Sequence, residues 1–163
     1  GFHLCRGNQA SRWLVEGGYD SIARPIFQSI RAQRLLLEYD DERSGSFEPL
    51  RHVPDDKMVV LGLVTTKRPA LETPEELIRS IREASRFVPL ERLALSPQCG
   101  FSTSIIGNKL SVGDEKRKLK LLCETAQRMW DQAGSAARYP SNRIRKDLVI
   151  TPAWLGQNDP THR

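Results

Sequence analysis

Long apolar runs are absent from this 163-residue chain, as are internal repeats and low-complexity tracts. No stretch approaches the ~20 consecutive apolar residues of a membrane-spanning helix. The first residues lack the charged, apolar and small-residue regions of a secretory leader. Cysteine is scarce: Cys5, Cys99 and Cys123 are the 3 in the chain. An odd number of widely separated thiols does not make a disulfide framework and predicts a reducing compartment. Together these absences predict a cytoplasmic protein with no membrane partner. Charge of a single sign is lacking too. The net charge is +5 and the pI about 9.4, yet bases alternate with acids, as in Asp114-Glu115-Lys116-Arg117-Lys118. That run predicts a solvated helix face, and only Arg138, Arg143, Arg145 and Lys146 form a locally basic group. No nucleic-acid partner is expected from such a distribution.

What is present is an ordinary globular composition, 39% hydrophobic and 28% charged, in a chain long enough for one cored domain. Four segments read as strands or strand ends: 1–5, 35–39, 58–64 and 93–95. The middle two are near-continuous apolar runs, the pattern of parallel strands covered on both faces. Between them lie helical patterns. Ile22, Ile26, Phe27 and Ile30 recur at helical spacing. Thr73-Pro74-Glu75-Glu76 combines an N-cap threonine, proline at the first helical position and glutamate at the third. Leu77, Ile81, Ala84 and Val88 continue that helix, and Leu119, Leu122, Ala126 and Met129 mark the buried side of another, over 114–130. Cys123 is expected as a buried thiol on it. Residues 40–57 read as a polar loop without a clear helix. Repeated βα units predict an α/β fold with a parallel sheet.

Functional residues of parallel βα folds collect where the strands end. His3, Cys5, Glu38 and Cys99 all stand at such ends. His3 and Cys5, two apart on a strand, share a face. Soft sulfur, borderline nitrogen and hard oxygen suit zinc, and zinc lowers the pKa of a thiol below its free value of ~8.5. The carboxylate is the most dispensable of the four, so Glu38 is expected to yield to an incoming thiol. By itself a His-x-Cys pair is commonplace, and Glu38 alone could equally be an ion-paired carboxylate.

Three motifs in order add a resemblance: His3-Leu4-Cys5-Arg6-Gly7-Asn8, then Leu37-Glu38-Tyr39-Asp40-Asp41-Glu42-Arg43-Ser44-Gly45, then Leu95-Ser96-Pro97-Gln98-Cys99-Gly100-Phe101. They resemble the C-terminal catalytic barrel of cobalamin-independent methionine synthase, most closely its short single-barrel bacterial relatives. The resemblance implies that residues 1–130 are the C-terminal half of a (β/α)8 TIM barrel, about four parallel strands with outer helices, with 131–163 a C-terminal extension. It implies zinc held by His3, Cys5, Glu38 and Cys99, and S-methylation of homocysteine from a methylated folate, in methionine biosynthesis. Lys67 stands where the long enzymes place a proton-handling histidine, and is expected to be catalytic with Asp40 and Asp41; Arg43 and Ser102 are expected to touch substrate. The chain opens inside a strand end without an initiator methionine, so an N-terminal barrel half or self-association is expected to cover the sheet edges. Alternatives left open are a thiol alkyltransferase using another donor, such as a methylcorrinoid, and an inactive zinc-binding fragment.

Overall fold

Leucine and valine fill residues 35–37 and 59–61, and these segments become the two central strands of a four-stranded, all-parallel sheet. In this computed structural model residues 1–103 and 105–133 are described. The strands are β1 (Phe2–Leu4), β2 (Arg34–Glu38), β3 (Met58–Val64) and β4 (Leu93–Pro97), in that spatial order. The helices are α1 (Ala23–Ser29), α2 (Pro74–Ala84) and α3 (Val112–Ala133). The α/β fold expected from the alternation is therefore present. Ser104 and the residues from 134 onward, which include most of the expected C-terminal extension and its arginines, lie outside the described residues.

Register explains what each face does. Leu35, Val59 and Leu93 are aligned across the sheet and fully or almost fully buried, beneath Phe27 of α1 and Ile81 of α2 in one apolar core. The neighbouring row, His3, Leu36, Val60 and Ala94, points to the other face. There Leu36, Val60 and Ala94 are only half-buried and His3 is exposed. Apolar runs predicted cover on both faces; among the described residues one face is covered. The N-cap of α2 forms as its sequence predicts: Thr73 Oγ1 accepts the Glu76 N–H at 3.2 Å, and Glu76 Oε2 accepts the Thr73 N–H at 2.8 Å. Such a cap contributes about 1 kcal/mol.

Four other expectations are corrected. The β2–β3 connection is not plain loop: it holds 3₁₀ turns at Glu42–Ser44 and Glu48–His52, and the second buries Leu50 against α1. The buried stripe of α3 runs through Asp114, Lys118, Leu121, Leu122 and Thr125, and Leu119, Ala126 and Met129 sit on its half-buried flank. Lys118 is thus no solvated charge; its Nζ donates to Ala70 O at 2.6 Å and to Glu72 Oε2 at 3.0 Å. That contact turns the helix, and Cys123 becomes exposed instead of buried.

Candidate metal centre

The two edge strands carry the thiols, and the curvature of the sheet brings their ends together. Gly62, in the central strand β3, makes the close approach possible. A Cβ there would stand 3.0 Å from Leu37 O and 3.1 Å from the Cα of Gln98. Without one, the end of β4 bends inward over a bulge between Gly62 and Val64. Cys99 Sγ consequently lies 2.8 Å from Cys5 Sγ, 94 positions away. His3, Cys5 and Cys99 each offer a ligand atom, all within 4.8 Å of one another.

Further contacts link the loops above. Thr103 Oγ1 donates to Asn8 O, and Ser11 Oγ accepts the Lys109 N–H at 2.7 Å. Beneath them Arg6 works as a strut. Its Nε donates to Gly17 O at 2.6 Å and its Nη1 to Tyr19 Oη and to Glu38 O at 3.0 Å. Tyr19 Oη in turn accepts the Glu38 N–H at 2.8 Å. Burial pushes the Tyr19 hydroxyl up to about 12, against the opposing charge of Arg6. Arg6 and Tyr19 are therefore the frame that fixes the end of β2.

Glu38, the fourth expected ligand, is buried beside the trio but outside the 4.8 Å group. Its Oε2 accepts the Arg6 N–H at 2.7 Å and its Oε1 accepts Lys67 Nζ at 3.0 Å. Burial pushes the carboxyl up, but those donors outweigh it and hold Glu38 below the usual carboxylate range. Lys67 Nζ also donates to Asp40 Oδ2 at 3.0 Å. For Asp40 burial wins over Lys67, and its carboxyl is raised. Its second oxygen, Oδ1, has no hydrogen-bond partner among the described residues. Burial, then the hydrogen bond and charge of Cys5, push the Cys99 thiol up. Two sulfurs in contact, near a pair of carboxylates sharing one lysine, make a place that a cation would relieve.

Zinc fits this donor set. Two thiols and an imidazole are its preferred soft and borderline ligands. Two sulfurs on a tetrahedral zinc sit about 3.8 Å apart; at 2.8 Å these need to part slightly, not to be gathered. Of the other sequence candidates, Asp41 caps the 3₁₀ turn at 42–44 and pairs with Arg43, whose guanidinium also lies 4.5 Å over the Trp13 ring. Ser102 lies exposed on the loop after Cys99. Sequence reasoning passed over Gln98, although it is the residue before a ligand at a strand end. It is buried, and its Nε2 donates to Cys99 Sγ at 2.7 Å.

Comparison with known proteins agrees with the fold and the motifs. The sequence model of the family described as cobalamin-independent synthase, catalytic domain, matches residues 22–113. The uncharacterized protein YxjG of Bacillus subtilis is 51% identical over 129 residues, covering 78% of this chain and 34% of that protein. A methionine synthase of Thermococcus kodakarensis is 27% identical over 100 residues, covering 61% of this chain and 26% of that protein. Among solved structures, the B12-independent methionine synthase of Shewanella sp. W3-18-1, in complex with selenomethionine, superposes with a TM-score of 0.65 at 21% identity. That match covers 82% of this chain and 39% of the other, and it supports the fold alone. The chain thus spans about a third of the length of YxjG, at 34%. With its family motif running from α1 to the start of α3, this chain belongs to the cobalamin-independent synthase catalytic-domain family.

Proposed function

We propose that this chain carries the zinc-binding part of a methyltransferase that methylates the sulfur of a thiol, homocysteine, with a methylated folate as donor, in methionine biosynthesis. The carrying observation is the meeting of His3, Cys5 and Cys99 within 4.8 Å, from opposite edges of the sheet. These three and Glu38 would hold the ion. Zinc bound there would keep a thiol in its nucleophilic thiolate form at neutral pH.

The chain's own residues supply the rest. Glu38 sits beside the trio with both oxygens already hydrogen-bonded. It can therefore give up a metal contact without becoming a stranded buried charge, which is what a ligand displaced by an incoming thiol requires. Lys67, held at 3.0 Å by both Glu38 and Asp40, is our candidate for delivering a proton to the leaving nitrogen of the donor. Asp40 orients Lys67. Asp41 fixes Arg43, and Arg43 and Ser102 are our candidates for substrate contact. The half-buried face bearing Leu36 and Val60 would be covered by further strands of a barrel, consistent with relatives more than twice as long. Among the described residues no helix is long and apolar enough to cross a membrane, consistent with a cytoplasmic setting.

Metal analysis with X-ray absorption tests this reading. One zinc per chain is expected, with two sulfurs in its shell, lost in Cys5→Ser and Cys99→Ser. Homocysteine should add a third sulfur and remove one light ligand. A chain that retains zinc after both cysteines are replaced would refute it.

A further inference from the structure

Any site that activates a thiol next to cysteine ligands has a selectivity problem: its own sulfurs are nucleophiles too. Here each ligand sulfur faces an N–H. Cys5 Sγ accepts the Gly7 backbone N–H at 3.0 Å, where the positive φ of 90° suits glycine. Cys99 Sγ accepts Gln98 Nε2 at 2.7 Å.

The amide is held that way round. Asn8 Nδ2 donates to Thr66 Oγ1 at 2.9 Å, and Thr66 Oγ1 spends its single proton on Gln98 Oε1 at 3.2 Å. Asn8, Thr66 and Gln98 are all buried. Turned over, the amide would set its oxygen against the Cys99 sulfur, an acceptor. We propose that Gln98 is a positioning residue that draws electron density from the Cys99 sulfur, so that alkylation falls on the incoming thiol instead of the protein. A hydrogen bond to a thiolate stabilises its lone pair, and nucleophilicity falls with basicity. The inference rests on the metal-site reading, which puts both cysteines in thiolate form.

Iodoacetamide reads the effect directly. The thiolate pair forms the S–C bond as the C–I bond breaks and iodide leaves. Site-resolved mass spectrometry of the zinc-loaded full chain gives separate rates for Cys5 and Cys99, with the exposed Cys123 as reference. Gln98→Met, similar in size but without a donor, should raise the Cys99 rate roughly three- to tenfold and leave Cys5 unchanged. Thr66→Val, which frees the amide but keeps it, should raise the Cys99 rate by less. Loss of metal or of fold would expose both cysteines together, so a parallel rise at Cys5 overturns the proposal, as does an unchanged Cys99 rate in both variants. Zinc content is measured alongside. A wild-type chain that takes up no zinc defeats the metal-site reading, and the Cys99-to-Cys5 ratio in the metal-free chain then decides the role of Gln98.

Discussion

Two lysines in this fold, Lys118 fully buried and Lys67 partly so, meet carboxylates at similar distances and teach opposite lessons. Lys118 joins α3 to the connection after β3, with Glu72 Oε2 at 3.0 Å and Ala70 O at 2.6 Å. Glu72 Oε1 accepts the Thr65 N–H at 2.9 Å. One positive charge meets one negative charge, and both carboxylate oxygens have donors. Lys67 also makes 3.0 Å contacts, but to two carboxylates, Glu38 and Asp40, and one Asp40 oxygen is left over. Glu38 and Lys67 of this group act directly on the Cys99 thiol, which touches Cys5. A closed account describes a structural ion pair, whereas an open one describes a place for a cation.

Replacing each lysine tests that contrast, and these are the largest effects expected. Lys118→Met strands Glu72 and should cost about 3–5 kcal/mol, equally with zinc or with chelator, as read by urea unfolding. Lys67→Met should cost a similar amount in chelator, but zinc should restore a large part of it, because the cation takes over the neutralising role. Equal responses to zinc at the two positions would break the comparison.

A smaller effect follows from the frame under the Lys67 group. The Tyr19 hydroxyl is raised from 10.0 to about 12 by burial, so the folded chain favours the neutral form. Its contribution is complete below pH 10 and disappears as the pH climbs through 12, a loss of about 2–3 kcal/mol. Tyr19→Phe should remove that alkaline component while costing about 1–2 kcal/mol at neutral pH, since the Glu38 N–H loses its acceptor. Comparing urea midpoints of the two proteins across the alkaline range checks both parts. The smallest effect sharpens the contrast by geometry. Gly62→Ala forces a methyl against Leu37 O and the backbone of Gln98 and should cost about 1–3 kcal/mol. Zinc affinity should fall with it as Cys99 is pushed off Cys5, and the Lys118 response should not change. Metal titration of Gly62→Ala, and unfolding of Gly62→Ala combined with Lys118→Met, would read this.

Much of the scaffold was legible in the chain. Residues 58–64 carry no charged or hydrogen-bonding side chain and form β3 with the expected bounds, because the apolar run is closed off by Lys57 and Thr65. The Thr73 cap was legible because its hydrogen bonds join residues three apart. Lys118 and Cys123 were misread for the complementary reason. A helix stripe records which residues repeat but not which neighbour the helix meets, and here Glu72 and Ala70 O draw a lysine inward.

At the candidate site, residue types and strand ends pointed to His3, Cys5, Glu38 and Cys99. That information is local: a thiol or imidazole declares its chemistry wherever it stands. The sequence by itself thus determined which donors were available, the parallel order of the strands and the cap of α2. Only the tertiary structure decided that sulfurs 94 positions apart lie 2.8 Å from each other, that Glu38 is engaged by Arg6 and Lys67, and that Gln98 faces Cys99. Those outcomes depend on sheet curvature, on the missing side chain of Gly62 and on the balance of buried charge, all of which are set by contacts between distant segments.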